Sequence, residues 1–130
     1  MRPMKRLTIF CVLAWCMAVH AVPVRTAVSS IKPLLLEALS HDEAHGVLVG
    51  AIQSIFEKNF KTAAPIEVDV KRIGAHRQPG CARLEVTTRQ GDVILPAQSG
   101  MPLNRPAAME ARYQIDYCET GEFPRGEQKK

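Results

Sequence analysis

Ser40-His41-Asp42-Glu43-Ala44-His45-Gly46-Val47-Leu48-Val49-Gly50-Ala51-Ile52-Gln53-Ser54-Ile55-Phe56-Glu57-Lys58-Asn59-Phe60 is the stretch on which the fold turns. Ser40 and Glu43 stand in the Ser-x-x-Glu spacing of a capping box, ahead of an apolar run. Leu48, Ala51, Ile52, Ile55, Phe56 and Phe60 recur at steps of three and four, which gathers them into one apolar stripe. Gln53, Glu57, Lys58 and Lys61 fall mostly on the other side. The spacing predicts a helix over residues 41–59. Gly46 and Gly50 each weaken it by up to about 1 kcal/mol relative to Ala, and four apart they leave a smooth strip where a second backbone can approach. Upstream, Ser30 is a candidate N-cap for a shorter helix over residues 31–39, in which Pro33 is tolerated because it lies in the first turn.

Downstream of Pro65 the period changes to two. Ile66, Val68 and Val70 alternate with Glu67, Asp69 and Lys71, the pattern of a half-buried strand. The segment from Gly74 to Gly80 contains Pro79-Gly80 and reads as a turn. Ala82, Leu84 and Val86 then alternate with Arg83, Glu85 and Thr87 in a second strand. Gln90-Gly91-Asp92 reads as another turn, with a short third strand at Val93-Ile94-Leu95. Pro96, Gly100, Pro102 and Pro106 punctuate a loop. A last strand places Met109, Ala111, Tyr113, Ile115 and Tyr117 on its apolar face. The expected fold is α+β: two N-terminal helices packed on a small antiparallel sheet of three to four strands, one domain over residues 22–118. Residues 119–130 are expected to form a polar, flexible tail.

The start of the chain has a different character. Arg2, Lys5 and Arg6 precede a short apolar run and a small-residue exit, the pattern of a secretory signal peptide over residues 1–21 with cleavage between Ala21 and Val22. About thirteen apolar residues fall short of the roughly twenty that span a bilayer, so no stable membrane span is expected after cleavage. Cys16 follows Trp15, which argues against lipoprotein processing, because that chemistry needs a small residue before the cysteine. The whole chain of 130 residues carries a net charge of +4, which invites a nucleic-acid reading. Removing the leader takes three of the 17 basic residues and none of the 13 acids, leaving +1. The basic balance is largely a targeting signal, and no nucleic-acid partner is expected.

Cys81 and Cys118 alone remain after cleavage, in an oxidising compartment where paired cysteines are the rule. Cys81 opens one predicted strand and Cys118 closes another. If the two strands pair antiparallel with the cysteines opposite, the numbers of opposed residues sum to 199. Leu84 then faces Ile115, Val86 faces Tyr113 and Thr88 faces Ala111, while Arg83 opposes Asp116 and Glu85 opposes Gln114. Apolar side chains meet on one face and no like charges clash on the other; a one-residue slip destroys both matches. The alternative makes Cys81 a reactive thiol with His76 five residues upstream, but no Cys-x-x-Cys accompanies it.

His41 and His45 are four apart, which on a helix puts both imidazoles on one face as candidate ligands for Zn²⁺ or Cu²⁺. The plainer alternative is a solvated helix start whose acids favour the dipole, and no cofactor is expected. Asp42-Glu43-Ala44-His45 also spells a helicase box, but no phosphate-binding Gly-x-x-x-x-Gly-Lys-Ser/Thr loop accompanies it. Asp69, Glu85 and Asp116 alternate with apolar residues and read as charges on a solvent face. Lys71, Arg72, His76 and Arg77 form a small basic cluster around a turn, without the interleaved aromatics that stack on nucleic acid.

The strings Pro79-Gly80-Cys81-x-Arg83-Leu84 and Tyr117-Cys118-x-x-Gly121-x-x-Pro124, behind a signal peptide, resemble those of small exported accessory proteins encoded within bacterial conjugative-transfer clusters. The resemblance covers two short strings and carries no catalytic residues over. It implies a periplasmic or secreted accessory protein working by contact with an envelope protein or a cell-wall component. Two other classes stay open: an inhibitor of a secreted or wall-acting enzyme, and a small enzyme whose site the sequence does not mark. The Pro-rich loop and the exposed edge of the strand at residues 93–95 are the expected contact surfaces.

Overall fold

The computed structural model describes residues 20–94 and 106–126. The expected leader falls almost wholly outside the described residues, as does most of the Pro-rich loop. In chain order the elements are β1 (Thr26–Val28), α1 (Lys32–His41), β2 (Glu43–Leu48), α2 (Ala51–Phe60), β3 (Ile66–Ala75), β4 (Cys81–Val93) and β5 (Ala107–Cys118). The strands form one five-stranded sheet in sequence order, β1-β2-β3-β4-β5. β1 runs parallel to β2, and every later pair is antiparallel.

This corrects the expected architecture. The sheet is mixed and five-stranded rather than antiparallel with three to four strands, and the second helix lies between β2 and β3. The expected helix over residues 41–59 is divided. Asp42 takes a left-handed conformation at φ 69°, which ends α1 at His41. Glu43–Leu48 then runs extended, with Ala44, Gly46 and Leu48 turned inward and Glu43, His45 and Val47 turned outward. Ser40 makes no capping box; its hydroxyl donates back to the Leu36 carbonyl within α1. Only the second half of the stripe is helical, as α2, and Gly50 precedes it at φ 84°, where a side chain would be strained. The expected turn at Gln90-Gly91-Asp92 is also corrected: β4 continues through it to Val93, with an irregularity in its pairing to β5 between Gln90 and Val93.

α1 covers one face of the sheet. Leu34, Leu35, Ala38 and Leu39 from the helix pack against Val28, Ala44, Leu48, Ile66, Val68, Val70, Ala82, Leu84, Val86 and Tyr117. Ile52 and Phe56 of α2 lie against this core, although no α2 residue is fully buried. Arg72 donates to the Leu39 carbonyl in the last turn of α1, where a cation also complements the helix dipole. The opposite face carries the outward set of each strand and is open to solvent.

β4 and β5 pair with residue numbers summing to 199 from Cys81↔Cys118 through Gln90↔Met109, and Cys81 and Cys118 form a disulfide. Arg83 meets Asp116 with paired hydrogen bonds of 2.8 and 3.0 Å. The bond also removes Cys81 as a candidate nucleophile.

Candidate functional site: an arginine-lined cleft beside the disulfide

The turn between β3 and β4 and the chain beyond β5 meet at the disulfide end of the sheet. Residues 119–126, within the segment read as a polar tail, fold back on the turn. Glu119 N donates to the Gly80 carbonyl at 2.8 Å and Cys118 N to the Glu122 carbonyl at 3.0 Å. The Tyr117 hydroxyl donates to the Gly121 carbonyl at 2.7 Å, and its ring meets Phe123 edge to face with centroids 5.5 Å apart. Arg125 N donates to the Gln78 side-chain carbonyl at 2.9 Å. The tail therefore makes one wall of a cleft whose other wall is the turn.

The cleft has a volume of about 1030 Å³. Its apolar part is built from Ile73, Ile115, Phe123 and Pro124, and its charged part from Arg77, Arg83, Arg125 and Asp116. Ile73 and Phe123 are 41% and 65% exposed, large apolar side chains held at the surface. The single carboxylate is engaged: donation from Arg83, helped by that guanidinium's charge and by His76, holds Asp116 below the ordinary range against a smaller opposing effect of burial. Hydrogen bonding to Asp116 in turn raises Arg83. Arg83 and Asp116 neutralise one another, Arg77 and Arg125 bring further guanidiniums to the lining, and the apolar side chains beside them favour an amphipathic ligand over a simple ion.

A second cluster lies on the open face of the sheet. Asp69 accepts from Arg25 at 2.8 Å, contacts His45 Nδ1 at 2.7 Å and accepts from Arg89 at 2.5 Å. Arg89 extends the network to Glu110, and Arg112 to Glu110 and Glu85. Burial is the largest single influence on the Asp69 carboxyl and pushes it up. Donation from Arg25 and His45, the Arg25 charge and donation from Arg89 together outweigh it and hold the group below its ordinary 3.8. Every charge here faces an opposite one, so the network is built to hold strands together.

The other candidate residues are dispersed. His41 ends α1 and is exposed, whereas His45 sits in β2 on the open face, so the shared helical face needed for metal binding does not exist. Among the described residues, no group of three or more His, Cys, Asp or Glu is placed to hold a metal ion. His76 accepts a hydrogen bond from Gln78 N within the turn. The exposed edge expected at residues 93–95 is not found in its described part: Val93 belongs to β4 and pairs with Ala107 of β5, Ile94 N donates to the Phe60 carbonyl, and Leu95 lies outside the described residues. Sequence reasoning missed Ile73, Phe123 and Arg125. The signal that marks one of them, Phe123, is the apolar pair Phe123-Pro124 inside an otherwise polar tail. Comparison with protein-family models, with curated proteins and with solved structures finds no match to this chain.

Proposed function

We propose that this is an exported, non-catalytic accessory protein that acts by protein–protein contact in the cell envelope, in the setting of conjugative transfer. The observation that carries the reading is the cleft, where exposed Ile73 and Phe123 stand beside Arg77, Arg83 and Arg125. Protein-binding surfaces combine apolar anchors and arginines in this way. The partner it fits is an acidic protein segment carrying at least one large apolar side chain. The disulfide supports an oxidising compartment, periplasmic or extracellular. The cell-wall alternative is weaker on the same ground, because an uncharged glycan makes little use of an arginine-lined cleft with Arg125 in its wall.

The test is photocrosslinking from position 123 in the native envelope, followed by identification of the partner. The expected result is one envelope protein, crosslinked through an acidic segment and lost when Arg125→Glu is introduced. Capture of a wall-acting hydrolase at its active-site entrance, with its activity blocked, would replace this reading with that of an inhibitor. An unchanged crosslink in the Arg125→Glu variant would remove the cleft from the argument.

A further inference from the structure

β5 ends the sheet, and its outer edge carries no strand among the described residues. The register shows which backbone groups lie there. Cys81 and Cys118 are opposed, yet their amides bond the carbonyls of Gln78 and Glu122. They are therefore a non-hydrogen-bonded pair, and the groups bonded to β4 belong to Tyr117, Ile115, Tyr113, Ala111 and Met109. The amides and carbonyls of Asp116, Gln114, Arg112 and Glu110 point off the sheet, a free edge that templates pairing with another strand. On the open face this edge presents Glu110 and Arg112. On the helix face it presents Met109, Ala111 and Tyr113; Tyr113 is 43% exposed, whereas Tyr117 belongs to the core and Ile115 packs against it.

We propose that two copies of the chain pair through their β5 edges, antiparallel about a two-fold axis at Ala111, so that opposed residue numbers sum to 222. Symmetry allows only even sums, and charge decides among them. A sum of 220 sets Glu110 against itself, 224 sets Arg112 against itself, and 226 sets Glu110 against Asp116. At 222 Glu110 faces Arg112 of the second copy, and Arg112 faces its Glu110. On the helix face Met109 meets Tyr113 twice, extending the apolar layer across the junction. Ala111 meets Ala111 at a non-hydrogen-bonded site, where strands come closest and a small side chain fits. A sum of 228 brings Arg112 to Asp116 but runs Glu110 into Cys118, whose amide already holds Glu122. The product is a continuous ten-stranded sheet with both copies of α1 on one face.

The test uses the mature chain in sedimentation over a concentration series, with cysteine crosslinking to read the register. The Ala111→Cys variant is expected to form a covalent dimer on mild oxidation, because non-hydrogen-bonded neighbours lie within disulfide reach. Met109→Cys is expected to crosslink to Tyr113→Cys but not to itself. Glu110→Arg and Arg112→Glu are each expected to weaken the dimer about tenfold, and the double swap to restore it. A chain that stays monomeric throughout, a double swap no tighter than the singles, or crosslinking through Gln114→Cys in place of Ala111→Cys would overturn the proposal. None of these readouts depends on the cleft.

Discussion

A methyl group at position 46 has no room: an ideal Cβ there would lie 2.6 Å from Leu34 Cδ1 and 3.1 Å from the Thr26 carbonyl oxygen. Gly46 is thus the point where α1 is pressed onto the sheet, with a Leu34 side chain that is fully buried. Gly46→Ala is expected to destabilise the fold by about 1–3 kcal/mol, the range for overpacking a tight core, measured from the urea midpoint. Combined with Leu34→Ala, it is expected to be less harmful than the sum of the two single changes, since the colliding atoms are gone. Strict additivity would show that the collision is relieved by backbone movement elsewhere. Asp69 supplies a second prediction at this scale. Its carboxyl is held below the ordinary 3.8, so between the two values the unfolded chain binds more protons than the folded one. Stability from this group is present above the unfolded value and is lost as pH falls through and below about 4. Asp116 and Glu110 are lowered in the same direction by Arg83 and Arg89. Thermal melts of the native chain are therefore expected to fall on acidification through this window. In Asp69→Asn the fall is expected to be shallower; an identical slope would place the acid sensitivity elsewhere.

Among the elements, α1 and α2 have equal lengths, 10 residues each, but unequal roles. α1 buries Leu34, Leu35, Ala38 and Leu39, whereas α2 buries none of its residues and leaves Ile55 56% exposed. Leu34→Ala is expected to remove about 2–5 kcal/mol and Ile55→Ala no more than about 0.5 kcal/mol, read by denaturant unfolding. Amides of α2 are expected to exchange with solvent before those of α1; equal protection would mean that α2 is covered in solution. The same two elements mark where the sequence misleads. In β2 the inward residues are Ala44, Gly46 and Leu48, and the first two are too small to register as a hydrophobic alternation. Leu48 starts the helical stripe of α2, so the period of three to four reads backward through the strand. The stop at Asp42 is a left-handed residue without the glycine that announces one. β4 and β5 were legible for the opposite reason: each alternates bulky apolar with charged residues, and a cysteine at one end of each fixes the register. The cleft was legible in half, because its turn wall carries a visible basic cluster, while its tail wall is polar sequence held by backbone hydrogen bonds.

For the whole molecule, the disulfide matters through what hangs from it. It joins the start of β4 to the end of β5 across a sequence separation of 37, and closing a loop of that length is worth roughly 4 kcal/mol in the chain-entropy model. A fold whose sheet has one open face and one lightly packed helix has little surplus to absorb such a loss. The bond also sits at the root of the cleft: the residues on either side, Gly80 and Glu119, are hydrogen-bonded to each other, and Cys118 N holds Glu122. Reduction is therefore expected to act on stability and recognition together. The Cys81→Ser/Cys118→Ser variant, or the native chain in reductant, is expected to lose about 2–5 kcal/mol and to melt at a lower temperature. Amides of Glu119 and Gly121, which donate to the Gly80 and Cys118 carbonyls, are expected to lose exchange protection first, before those of β3. The photocrosslink from position 123 is expected to weaken even at temperatures where the sheet stays folded, because Phe123 is held against Tyr117 by the same tail. A reduced protein that melts as the oxidised one does would show that the sheet alone sets the stability. If the crosslink also persisted, the tail's own hydrogen bonds would suffice to form the cleft.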